Sequence, residues 1–254
     1  SRELFAEALF GKKHPYGISA KGECYDDVTR DDIVTLYNEL YTANNCFIVC
    51  SGHVDDTVLD RIKGMAMELP AGEKPQIEFP AIESTYTTRR DIDSALQSSI
   101  RIGRLLFTRT HPDFVGMQVV AAVLGGYFGS RLMQNLREEH GYTYGVMAAM
   151  VNFDREGYFA IATQVAREHR DDALREIYTE IERLRTELIS DEELQMVKNM
   201  MIGEVLRILD GPFGIADVTI ENIMCDVDNR YTEQNVETIF AITPEEIQRL
   251  AVKY

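Results

Sequence analysis

Apolar residues recur at helical spacing along most of the 254-residue chain and depart from it in four short stretches. Cys46-Phe47-Ile48-Val49-Cys50 is a continuous apolar run closed by Ser51-Gly52, the pattern of a buried strand. Ala95 to Gly103 alternates, with Leu96, Ser98, Ile100 and Ile102 on one face. Tyr142 to Asn152 and Gly157 to Ala166 read as paired strands joined by a turn at Phe153-Asp154-Arg155-Glu156. Around these strands the spacing predicts helices over 2–11, 29–41, 56–68, 113–124, 130–139, 170–187, 190–210, 212–224 and 231–240, and a last one opened by Thr243. Thr29 with Asp32, Ser190 with Glu193 and Thr243 with Glu246 each place an acid three residues after a hydroxyl, the signature of a capping box. The order predicts an α+β fold with helices packed on one face of a mainly antiparallel sheet.

Between Pro70 and about Thr88 the helical period lapses and Pro70, Pro75, Pro80 and Gly72 interrupt a polar run. This divides the chain into 1–72, a linker over 73–90 and a unit over 91–254. A second organising feature is internal: Val28-Thr29-Arg30-Asp31-Asp32-Ile33 matches Ile242-Thr243-Pro244-Glu245-Glu246-Ile247 in kind at all but one position, and Leu36 then falls on Leu250. A duplication would make the chain a piece of a parent with two similar halves, the second copy stopping before a counterpart of the 46–50 strand.

Composition narrows the function classes. At 45% hydrophobic and 27% charged residues the chain is ordinary globular material. Its 42 acids against 26 bases give a net charge of −16, a field that repels a phosphate backbone and demotes nucleic-acid binding. The longest apolar stretch, Val119 to Gly129, is broken by Gly125 and Gly126 and falls short of the ~18 residues of a membrane span. The first residues lack a secretory signal, and the native start can lie upstream of them. Cys24, Cys46, Cys50 and Cys225 have no metal spacing, and four residues of strand hold Cys46 and Cys50 about 13 Å apart. Unpaired core thiols are the expectation, which leans towards a reducing, cytoplasmic setting and leaves a periplasmic one open.

The five histidines are scattered, and neither H-E-x-x-H nor H-x-x-E-H occurs. Glu138-Glu139-His140 has the tail of the latter, but Leu136 stands where its first histidine belongs. Gly125-Gly126-Tyr127-Phe128-Gly129-Ser130 follows a helix rather than a strand, so it reads as close packing between two helices in preference to a phosphate loop. The densest stretch is Ser130 to Val146. It sets Arg137 near a helix end and Tyr142 and Tyr144 two apart on the next strand, hence on one face. Blandly, this is an aromatic sheet face with an arginine capping carbonyls. A charged fork and a phenol aimed at one point also suit polarising a carbonyl and stabilising an oxyanion.

The run Leu124-Gly125-Gly126, Ser130-Arg131-Leu132, Leu136-Arg137-Glu138 and Gly141-Tyr142-Thr143-Tyr144-Gly145-Val146 resembles the second domain of the pitrilysin/insulinase family of zinc metallopeptidases, which includes the mitochondrial processing peptidase. His14-Pro15-Tyr16-Gly17, Tyr41, Asn44-Asn45 and Ser51-Gly52-His53-Val54-Asp55 resemble the close of that family's first domain. The resemblance implies the family's two-domain repeat, here a fragment: the end of a zinc-type first domain, then a so-called inactive domain lacking its last strand. The family's H-x-x-E-H zinc motif lies upstream of the region this chain matches. The resemblance therefore implies no metal ligand in this chain, zinc in a parent or partner protein, and no peptide cleavage by the chain alone. It carries over the pair Arg137 and Tyr144, seven apart as in the family. Arg137 would hold substrate carbonyls, and Tyr144 would donate to the oxyanion formed when zinc-bound water attacks. Tyr142 departs from the family's aliphatic residue and is expected to pack. The implied partners are a peptide substrate and a zinc-bearing domain or subunit of the same family, in a homo- or heterodimer. The contrasting reading is a non-catalytic interaction or scaffold subunit of the same fold.

Overall fold

The computed structural model describes residues 1–254. In chain order it contains α1 (Arg2–Phe10), α2 (Arg30–Leu40), α3 (Asp56–Met67), β1 (Gln97–Leu106), α4 (Phe114–Ala121), β2 (Thr143–Asn152), β3 (Gly157–Ala166), α5 (Arg170–Thr186), α6 (Asp191–Ile208), α7 (Pro212–Met224), α8 (Arg230–Ala241) and α9 (Pro244–Lys253). Two π-helical segments, Ala122–Gly126 running on from α4 and Met133–Glu139 before β2, and three short 3-10 turns at Gly22–Tyr25, Ala43–Asn45 and Arg167–His169 complete it.

The three strands form one antiparallel sheet in the order β1-β3-β2. The β2–β3 hairpin closes where expected, with the Phe153 amide donating to the Glu156 carbonyl at 2.8 Å. Along β3 the side chains of Ile161, Thr163 and Val165 alternate into the core, and in β1 Ile100 joins them. Helices α4, α5 and α9 and the two π-helical segments bring Val119, Val123, Leu132, Leu136, Ile177 and Leu250 onto that face, within one cluster of 25 buried residues. Burying each such aliphatic side chain contributes about 1.5–3 kcal/mol. The other face is met by α1, whose Phe5 contacts the Tyr158 ring at 5.9 Å.

The core begins at Ile100. Ahead of it the buried residues are few, and α2 and α3 have none. The strand expected at Cys46–Cys50 does not form. The segment is extended at Cys46 but pairs with no strand, and Phe47 and Ile48 are exposed. A ladder and a second layer bury such a run, and no strand of the sheet pairs with it. For the same reason the thiols are not core thiols: all four are free, Cys24, Cys46 and Cys50 are exposed, and Cys225 is half-buried. Leu96 also leaves its predicted face; it precedes β1 and is exposed.

Residues 73–90 contain neither helix nor strand. They are tied to α1 by Glu83 and Thr85 amides donating to the Phe10 and Ala8 carbonyls, and by Ser84 Oγ donating to the Leu9 carbonyl. Phe79 enters an aromatic cluster with His14, Tyr16 and, through Tyr16, Phe153. The His-Pro-Tyr-Gly run thus docks on the β2–β3 turn. No helix is long and apolar enough to cross a membrane.

Candidate functional site

The site begins with the helix that carries Arg137. Leu132 and Leu136 bury one side of residues 131–139 completely. On the flank, Arg131 makes a two-pronged ion pair with Glu193 at the start of α6, with N–O distances of 2.7 and 2.8 Å. That carboxylate raises the Arg131 guanidinium above its usual range against the opposing effect of burial. Asn135 donates to Glu180 of α5 at 3.1 Å, and Arg183 also bonds that carboxylate. The helix is therefore fixed at one end to α6 and in the middle to α5. Glu193 was expected to close a capping box with Ser190. Only half the box forms, the Glu193 amide donating to Ser190 Oγ, because the carboxylate belongs to Arg131. Glu246 behaves alike, its carboxylate taken by Arg249. The Thr29/Asp32 box alone closes in both directions.

Strand β2 brings Tyr144 to this helix. Tyr142 precedes β2, so strand alternation does not tie it to Tyr144, and the pairing of β2 with β3 itself shifts register between Thr143 and Val146. Tyr142 lies between two imidazoles, 4.9 Å from the His140 ring and 4.6 Å from His169, and it packs. Tyr144 is 89% exposed, and its ring centroid is 5.0 Å from Arg137 Cζ. The structure brings Arg137 and Tyr144 together and assigns Tyr142 elsewhere.

A third residue completes the group, and sequence reasoning missed it. The Phe128 centroid is 4.5 Å from Arg137 Cζ. The loop bearing it is held by contact with β2: a Cβ on Gly125 would lie 2.7 Å from the Ala148 amide nitrogen, so only glycine permits the approach. The close packing expected of this glycine-rich run is made to the sheet rather than between two helices. The available signal was an aromatic set between glycines just before the arginine-bearing helix.

Arg137 differs from the other arginines at its depth. Arg109, Arg131 and Arg170, also half-buried, each donate to a carboxylate, Arg109 to Glu221. Arg137 makes no side-chain hydrogen bond; its nearest carboxylate is the half-exposed Glu138, 3.4 Å from Nε. Its fork lies against two rings, paired with Glu138 in charge but hydrogen-bonded to no side chain, which suits a planar oxygen ligand such as a peptide carbonyl.

A zinc ion does not fit these residues. No three His, Cys, Asp or Glu side chains converge at metal-binding range. Four of the five imidazoles make other contacts: His14 Nδ1 accepts from the Tyr16 amide, His111 Nδ1 from the Asp113 amide, and His140 and His169 stack on Tyr142.

Residues 27–201 match the family described as the Peptidase M16 inactive domain. The chain belongs to that family. It is 25% identical over 215 residues to an uncharacterized zinc protease of Rickettsia felis, covering 80% of this chain and 50% of that protein. It is 27% identical over 223 residues to the non-peptidase homolog YmxG of Helicobacter pylori, covering 81% and 48%. The chain thus spans about half the length of these relatives. A peptidase M16 inactive domain from Pseudomonas fluorescens superposes with a TM-score of 0.87 over 99% of this chain and 61% of that one, at 21% identity, a likeness of fold. The M16 inactive-domain fold, small antiparallel sheet and helices, is the one expected from the sequence.

Proposed function

We propose that this M16 inactive domain is the substrate-holding wall of a zinc-dependent endopeptidase, working opposite a metal-bearing half supplied by the same parent chain or by a partner subunit. Arg137 holds carbonyl oxygens of an extended peptide or unfolded segment, and the Tyr144 hydroxyl donates to the oxyanion as the scissile carbonyl is attacked. The observation that carries this reading is the Arg137 fork, which makes no side-chain hydrogen bond and lies beside an exposed phenol. Relatives named zinc proteases support it. A preorganised donor to an oxyanion is worth on the order of 10²–10³ in rate. Tyr144→Phe, in an assembly containing the zinc half, is therefore expected to lower kcat by that factor while leaving the fold intact. Unchanged peptide turnover would refute the role.

A second reading, a non-catalytic interaction or scaffold subunit, is favoured by the relative named a non-peptidase homolog. The two separate on one observation. An H-x-x-E-H about one domain upstream in the native chain, or in a partner subunit, supports the peptidase, and its absence from both supports the scaffold.

A further inference from the structure

An arginine can be immobilised in two ways. A carboxylate fixes it through its N–H groups and spends them, whereas an aromatic ring fixes it through its face and leaves them free. Arg131, about 9 Å of helix before Arg137 by the usual rise of about 1.5 Å per residue, is held the first way by Glu193. Arg137 is held the second way. We propose that Phe128 is the positioning residue for Arg137: its ring holds the guanidinium in place so that N–H groups not engaged by the neighbouring Glu138 can meet substrate carbonyls.

This rests on the carbonyl-holding reading above and adds a residue to it. Phe128 is suited to the task because its own position is built. Gly125 presses the loop on Ala148, the Ser130 amide closes a turn onto the Tyr127 carbonyl at 3.1 Å, and Tyr127 OH reaches Met196 Sδ of α6 at 3.8 Å. The ring is also 58% exposed, an unfavourable place for a phenylalanine whose purpose is core packing. Tyr144 shares the contact, but its hydroxyl has the separate duty of donating to the oxyanion. Phe128 has no polar group, so its contribution runs through Arg137.

The test is a double-mutant cycle in the assembly with the zinc half, using a quenched fluorescent unfolded peptide as probe. Phe128→Ala is expected to raise KM about three- to tenfold with kcat nearly kept, because a carbonyl held in ground and transition states alike is lost as uniform binding. Phe128→Tyr should restore KM and Phe128→Leu should not. In an Arg137→Ala background, Phe128→Ala should change KM less than about twofold. An equal effect in both backgrounds would overturn the proposal, as would rescue by Leu. A second measurement is independent of turnover. The ring current of Phe128 should add to that of Tyr144 in shifting the Arg137 Nε–H proton signal upfield in the chain by itself, and Phe128→Ala should reduce the shift and broaden the signal. An unchanged Nε–H signal overturns the positioning role even if turnover falls. If Arg137→Ala and Tyr144→Phe leave turnover intact while the shift behaves as expected, the carbonyl-holding reading fails and the ring's hold on Arg137 stands.

Discussion

Helices α2 and α9 start from nearly the same sequence and end in opposite surroundings. Each opens on a threonine cap, with Ile33 and Leu36 of α2 matching Ile247 and Leu250 of α9. Ile247 and Leu250 are 0% and 1% exposed, against 60% and 55% for Ile33 and Leu36. The difference lies outside the helices. Helix α9 packs on α4 and α5, and α4 offers Gly116, where a Cβ would stand 2.5 Å from Leu250 Cδ1. Helix α2 meets no such surface, and its Tyr37 stacks on Tyr41 at its C-terminal cap instead. A cap and an apolar stripe suffice to specify a helix, and burial is a property of the facing element.

The largest effect expected from this contrast is on stability. Leu250→Ala leaves a cavity in the core and should lower the unfolding free energy by about 3 kcal/mol, whereas Leu36→Ala should stay within about 0.5 kcal/mol. Urea denaturation of the two variants measures both. Equal costs would mean that α2 packs in solution as α9 does, and the contrast would break.

A smaller effect concerns how α9 is moored. Asp113, at the start of α4, accepts hydrogen bonds from Lys253 Nζ and Tyr254 OH at 2.8 Å and from Arg249 at 3.1 Å. Burial would raise its carboxyl, but these three donors outweigh it and bring the pKa down to about 2. A carboxyl lowered on folding contributes stability that is present above its unfolded pKa of about 3.9 and lost as pH falls from there towards 2. The contribution is of order 2 kcal/mol. Asp113→Asn should lose it at neutral pH and flatten the acid limb of the stability curve between about pH 4 and 2. An unchanged acid limb would show that the mooring adds nothing.

The same distinction between local and distant causes governs what the sequence reveals. The β2–β3 hairpin, the ends of most helices and the threonine caps are legible because turn chemistry and hydrophobic period act within a few residues. The fate of Cys46–Cys50 is not legible, because a continuous apolar run says that a partner is wanted and not whether one is beside it. In the site, Arg137 and Tyr144 stand out by type and spacing, and their meeting across the helix-to-strand turn is a short-range event. Tyr142 does not follow the alternation read from the sequence because the strand begins one residue later, at Thr143, and Tyr142 stacks on His140 and His169 instead. Glu193 and Glu246 look like capping acids until a distant Arg131 or a nearby Arg249 takes the carboxylate. Phe128 is the hardest case: its meaning comes from a loop conformation set by the contact of Gly125 with Ala148.

The smallest effect separates the two caps themselves. Thr243→Ala and Thr29→Ala each remove a hydroxyl that accepts the third helical amide, a loss of about 1 kcal/mol to the helix concerned. In α9 that loss should appear in global unfolding, because Ile247 and Leu250 tie the helix to the common core. In α2, which buries no residue, it should appear only locally: faster amide exchange over residues 30–40, with no shift of the urea midpoint. The α2 cap is the stronger of the two, since Asp32 returns a bond to the Thr29 amide at 2.9 Å, so the comparison is weighted against the expected outcome. A midpoint shift from Thr29→Ala as large as that from Thr243→Ala would show that α2 unfolds together with the core, and that its exposed stripe is no measure of its independence.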